Sequence, residues 1–306
     1  MTRRAARLTV LGTALVLLTP SPAAAHGDDV PISELSGEWI PAPAVLAAAG
    51  LALALFAQAF VRLRRRGRRD HAPGGRAALF TLAIALFVLA LVSPLDAAGE
   101  DYLLSAHMLQ HVVIGDLAPA LALVALRGPL AFFLLPPGAL RPLAKLGPFR
   151  AALRFLLRPK ASLVLWAAAV GAWHVPAAYE AVLSRPAFHD LEHASFVLAG
   201  FLVWSQLVDP ARRGELRVGG RMLFAVVLFA CGQVLADVLL FSFHPLYPAY
   251  AAQDERLLGL SALTDQKLAG AVMMAEQLLT LGTCAFFLGR QALRERPRGR
   301  IAHEPS

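Results

Sequence analysis

Apolar residues along this chain gather into runs of about twenty, separated by short polar connections rich in arginine. Twenty apolar residues at about 1.5 Å rise each span the hydrocarbon core of a bilayer as a helix. The runs predict seven transmembrane helices: about Pro41 to Val61, Ala77 to Leu95, Tyr102 to Leu126, Ala161 to Leu183, Phe188 to Val208, Met222 to Phe243 and Leu268 to Leu288. A short apolar piece, Leu130 to Leu135, lies in the basic connection from Arg127 to Lys160 and cannot cross alone. A longer connection runs from His244 to Lys267. The expected fold is therefore all-α, a polytopic membrane helix bundle.

The ends read differently. Residues 1–25 have the pattern of a signal peptide: Arg3, Arg4 and Arg7, then a short apolar stretch from Leu8 to Thr19, then Ala23-Ala24-Ala25 as a cleavage site. The seven-span membrane domain then covers 26–290, and 291–306 is a basic tail.

The polar connections set an orientation. Past the signal segment, Lys and Arg occur at 62–76, 127–160, 212–221 and 290–300, which are alternate connections and share one side. By the positive-inside rule that side is the cytoplasm. The opposite connections hold only Arg185, Arg256 and Lys267 as basic residues, together with Asp96, Glu100, Asp101, Asp190, Asp254, Glu255 and Asp265. The reading is a multi-pass protein of the cell (plasma) membrane, N-terminus outside and C-terminus cytoplasmic.

Composition agrees with the lipid bilayer as the chain's solvent. Of 306 residues 57% are hydrophobic and 16% charged, with a mean hydropathy of +0.58; a soluble domain carries about a quarter charged residues. The net charge of +8 sits in the connections, with no nucleic-acid module and no basic face interleaved with aromatics, so nucleic acid is not an expected partner. Cys231 and Cys284 lie apart within apolar runs, which gives neither a CxxC motif nor a disulfide framework.

Histidines carry the candidate chemistry. His107 and His111 stand four apart in the third run, so they share a helix face, and His189 and His193 repeat the spacing in the fifth. A single histidine near a span end is usually a packing or interfacial residue, but imidazoles deep in hydrocarbon are not placed there for stability. With the topology above, His107 and His111 lie about 8 to 14 Å below the outer start of their span. His174 lies near the outer end of the fourth span, and His244 caps the sixth. All six fall at the extracytoplasmic end, which makes a metal site facing outside the natural reading. Imidazole suits copper, zinc and iron, and thioether favours Cu(I). Met108 adjoins the first pair, and Met273 and Met274 lie near the outer end of the seventh span. The lack of a cysteine pair argues against a structural zinc site. Asp116, Asp237 and Glu276 are acids at depth; Gln233, Asp237 and His244 fall on one stripe. Such acids orient imidazoles, carry protons or join helices. From the residues alone a metal chaperone, a haem-binding membrane electron carrier, a di-iron hydroxylase and a copper permease all remain open.

One resemblance narrows them. The stretches HMLQHVVIGDLAPALALVALRGP (107–129), WHVPAAYEAVL (173–183), HDLEHASFVLAGFLVWSQLVDP (189–210), LYPAY (246–250) and LTDQKLAGAVMM (263–274) resemble the CtaG-like family of cytochrome c oxidase assembly factors, of seven predicted spans. The likeness runs from about the second span to the seventh. One departure is Ala-Pro-Ala at 118–120, where the family pattern favours a second proline; it bears on helix shape. The resemblance implies an assembly role and no enzyme activity. It implies copper supplied to the copper B centre of subunit I of a haem–copper oxidase, with a soluble copper donor as a further partner. Position by position, it implies His107, His111, His174, His189 and His193 as metal-handling residues. Met108, His244, Asp116, Asp237, Asp265 and Glu276 are secondary candidates.

Overall fold

A computed structural model describes residues 30–136, 138, 142, 145–212 and 214–295. The signal-peptide reading of 1–25 and the last residues of the tail, 296–306, lie outside the described residues, as do His26 and His303. Among the described residues there are helices and turns and no strand. Among the same residues six helices are long and apolar enough to cross a membrane, or seven where the bent pair 147–173 counts as one span. The chain is a multi-pass membrane protein.

Helix α1 (Pro43–Arg65) has proline in its first turn and Arg62, Arg64 and Arg65 in its last. Proline there gives up an N–H that the helix does not use, and the arginines complement the dipole. Helix α2 (Gly74–Val92) returns beside it, with Phe56 stacked on Phe80 at 4.2 Å between ring centroids. A turn over 95–102 leads to Leu103, which is extended (φ −128°, ψ 114°) and breaks the helical path before α3 (Leu104–Val112). The third span continues through a π-helical turn, Val113–Leu117, into α4 (Ala118–Ala125). Pro119 has no N–H for the carbonyl of Gly115, four residues back, and its ring crowds that carbonyl; the wide turn accommodates this.

The fourth span departs from expectation. In place of one helix over 161–183 the chain forms two, and a further helix precedes them in the basic connection: α5 (Gly147–Leu156), then α6 (Pro159–Trp173) and α7 (Pro176–Leu183). Helices α5 and α6 meet at 74°. Pro176 causes the outer break, since the residue before a proline avoids helical ψ; Val175 has ψ 126°. Helix α5 buries none of its residues, exposes Phe149, Leu153 and Phe155, and carries Arg150 and Arg154. It has the composition of a helix lying in the membrane interface. Hydrophobic counting misses it because its arginines interrupt the run.

The remaining spans are α8 (Pro186–Val208), α9 (Val218–Phe241) and α10 (Ala262–Glu295). Helix α10 starts six residues before the expected Leu268 and ends seven after Leu288. Polar residues such as Asp265, Gln266 and Lys267 extend the helix without extending the apolar run. The boundary at 290 between membrane domain and tail therefore falls inside a helix.

Burial ranks the helices. In α3–α4 and in α8, 56% of the apolar window is buried, against 17% in α1 and in α2. The third and fifth spans are the interior of the bundle, while large apolar side chains such as Leu223, Val234 and Phe287 face outward, as lipid-facing residues do. The interior pair meets closely at Gly200, where an added Cβ would stand 1.9 Å from the Gly115 carbonyl oxygen. That contact brings the histidine-bearing ends of the two spans together. At the other end, Gly128 donates its N–H to the Pro210 carbonyl (2.7 Å) and closes α4 against the end of α8.

Candidate metal centre

The site is built on α3 and the N-terminal turns of α8. His107 and His111 lie one turn apart on α3, and His189, Glu192 and His193 share one face of α8 at i, i+3 and i+4. Because the two helices are packed face to face, the imidazoles converge. Ring centroids are 4.2 Å apart for His107–His111, 4.0 Å for His189–His193, 5.4 Å for His111–His193 and 5.7 Å for His107–His189. Glu192 is fully buried among them, its Oε2 3.5 Å from His111 Nε2 and 3.8 Å from His107 Nε2.

Ligand atoms of His107, His189, Glu192 and His193 all lie within 4.8 Å of one another. In a tetrahedral site with bonds of about 2.1 Å, ligand atoms stand about 3.4 Å apart, so the widest of these separations needs to close by about an ångström. The Nε2 atoms of His107, His111, His189 and His193 and both Glu192 oxygens are buried with no hydrogen-bond partner. Buried polar groups are nearly always satisfied. Six orphaned atoms turned into one space are what a cation would satisfy, and the donor set fits one.

The outer contacts prepare those nitrogens. His189 Nδ1 is 2.6 Å from Glu100 Oε1, so its proton sits on Nδ1 and Nε2 keeps its lone pair. Tyr250 donates its hydroxyl to the Gly99 carbonyl (2.6 Å), and its oxygen stands 3.4 Å from His107 Nδ1, again leaving Nε2 for the cluster. A Cβ on Gly99 would meet the His107 backbone at 2.9 Å, so the 95–102 turn fixes α3 directly behind this histidine. Asp96, Glu100 and His189 form a second group able to hold a cation. The Asp96 carboxyl is pushed up to about 6, first by burial and then by the nearby Glu100 carboxylate.

His174 is placed apart from the four. It caps the C-terminus of α6, and its Nδ1 must donate to the Val170 carbonyl (2.8 Å), since a carbonyl only accepts. Its Nε2 lone pair therefore points at Met108 Sδ, 3.2 Å away. This soft nitrogen–sulfur pair lines a cavity of about 70 Å³ that also touches His111, Asp116, Met273 and Glu276.

The secondary candidates divide. Asp116 accepts from the Trp204 indole, and Glu276 has an unpartnered buried Oε1; both line the small cavity below the histidines. Asp237 accepts from Gln233 on its own helix (2.8 Å), so the expected stripe is real for these two. His244 is exposed beyond the end of α9 and does not join them. Asp265 caps α3: it accepts the Leu104 N–H (2.7 Å) and the Ser105 N–H (3.2 Å), meeting the orphan amides of that helix start with a negative charge. Sequence reasoning missed Glu192 and the pairing of Glu100 with His189. The signal for Glu192 was present, an acid one turn from His189 and beside His193 in HDLEH.

No curated protein and no solved structure matches the chain. The family described as cytochrome c oxidase caa3 assembly factor (Caa3_CtaG) matches residues 54–295, which includes every helix of the site. The chain belongs to this family of cytochrome c oxidase assembly factors.

Proposed function

We propose that this chain holds a copper ion on the extracytoplasmic side of the plasma membrane and supplies it to the copper B centre of subunit I during oxidase assembly, without acting as an enzyme. The observation that carries the reading is the set of orphaned ligand atoms from His107, His189, Glu192 and His193 within 4.8 Å of one another. The ion is cargo, so the site must hold it and let it go. Neutral imidazoles with one carboxylate give moderate, proton-sensitive binding: each ligand competes with a proton, and affinity falls below the ordinary imidazole pKa near about 6.5.

Copper is favoured over zinc or iron by the neighbouring pair of His174 and Met108, since thioether sulfur prefers Cu(I). Haem is disfavoured by size. The rings pack at about van der Waals contact, and the adjoining cavity of about 70 Å³ is far smaller than a porphyrin. The arginines support an outward position. Those at 62–66, 127, 158, 212, 217, 221 and 290–294 fall at the end of the bundle opposite the histidines, which the positive-inside rule makes cytoplasmic. A soluble donor would then load the site from outside.

The test is copper binding by the purified full chain under a competing chelator, together with copper analysis of the oxidase from a strain lacking the protein. The reading expects copper bound by the wild type and held more weakly by Glu192→Gln, and an oxidase deficient in copper B. Accumulation of copper by sealed vesicles carrying the protein would instead assign a permease.

A further inference from the structure

At the end of the bundle away from the histidines lies a cavity of about 560 Å³. It is bounded by the residue after α4, the connection after α8, the first turn of α9 and the last turns of α10. Arg127, Arg212, Arg221, Arg290 and Arg294 line it against one carboxylate, Asp209; Val208 and Phe287 add apolar wall. Asp209 is engaged in part by the Gly214 N–H (3.0 Å).

The arginines are not equivalent. Arg221 is a structural member: its Nε donates to the Leu207 carbonyl (2.8 Å), which the end of α8 leaves without a helical partner. Arg127, Arg212, Arg290 and Arg294 form no ion pair with a carboxylate among the described residues. The positive-inside rule explains arginines at this end but not their convergence on one concavity. Arg62 and Arg66 at the same end lie over the Phe133 ring, and of the cavity arginines Arg290 lies over the Phe286 ring. Guanidiniums gathered around one space, with Asp209 as the one carboxylate among its described lining residues, repel each other unless an anion sits among them.

We propose that this cavity binds a phosphate-type anion, through the forked N–H donors that guanidinium offers to phosphate oxygens. The chemistry is shared by a free phosphate and by the phosphodiester headgroup of an acidic lipid. The lipid is favoured by the wall: Phe287, which lines the cavity, is 61% exposed, which gives acyl chains an apolar surface continuous with the headgroup site. Basic pockets between membrane helices on the cytoplasmic side bind acidic headgroups by this arrangement.

The full chain in phosphatidylcholine nanodiscs is titrated with phosphatidylglycerol and, separately, with inorganic phosphate, following the thermal midpoint. R212Q/R294Q is compared with R64Q/R65Q, which removes the same charge from the same end outside the cavity. The expected result is an apparent affinity for phosphatidylglycerol at least fivefold weaker in R212Q/R294Q, unchanged in R64Q/R65Q, and reduced by salt. Should R212Q/R294Q not purify folded, R290Q alone is compared, with at least a twofold loss expected. Saturation by inorganic phosphate with no added effect of phosphatidylglycerol supports the site and assigns it to the free anion. Equal responses of wild type and cavity variants to both probes, or no response in any of them, overturns the proposal. Copper binding plays no part in this readout.

Discussion

His111 Nε2 stands 3.5 Å from Glu192 Oε2, both buried, and neither atom has a hydrogen-bond partner. An uncompensated carboxylate inside a membrane bundle is costly. Imidazoles placed near it but not bonded to it describe a cage sized for something between them. Glu192→Gln keeps the volume and removes the charge. Loss of a ligand weakens metal binding by about tenfold or more, since even outer partners of ligands are worth about 10–100-fold. Competition with a copper chelator reads the change; wild-type affinity in this variant would show that Glu192 is not a ligand.

Gly200 is where α8 touches the π-helical turn of the third span. A Cβ would lie 1.9 Å from the Gly115 carbonyl oxygen and 2.8 Å from its carbon, and backbone cannot move aside as a side chain can. Gly200→Ala is expected to destabilise the bundle by about 2 kcal/mol or more, in the range of overpacked cores. Thermal unfolding in detergent measures it, with Gly219→Ala as control, because nothing lies within 4 Å of a Cβ there.

Asp265 separates capping from ligation. Removing the carboxylate that accepts from Leu104 and Ser105 is expected to cost about 1–2 kcal/mol, as loss of a helix cap does. Copper stoichiometry is expected to stay as in wild type in Asp265→Ala. A variant with wild-type stability but no bound copper would make Asp265 a ligand instead.

His244 gives the opposite control. It is exposed beyond α9, and its backbone carbonyl, not its ring, accepts from Ser242 (2.7 Å). His244→Ala is expected to leave copper content and thermal midpoint unchanged within about 0.5 kcal/mol, as surface substitutions usually do. Loss of copper in this single variant, measured by metal analysis, would extend the site across the outer loops.

These cases show what the sequence could carry. The spans were legible because lipid demands long apolar runs, and the two HxxxH pairs because helix periodicity puts them on one face. Their convergence followed from both pairs lying at the same end of neighbouring spans. The breaks were harder. Pro176 and Pro119 lie inside apolar runs, and hydropathy alone does not say whether such a proline breaks a helix, as at Val175, or only widens a turn, as at Gly115. Asp265 looked like a candidate ligand because its partners, the amides of α3, are about 160 residues away. Glu100 became a partner of His189 only through the fold of the 95–102 turn, which no periodicity encodes.

The central claim is that the facing histidines of α3 and α8 hold copper. It is tested most directly by metal analysis of the purified full chain beside His107→Ala/His111→Ala, both loaded with Cu(I) and washed with a competing chelator. The account predicts copper retained by the wild type and lost from the double variant, with the helical content of both the same. Equal copper in the two proteins would contradict it.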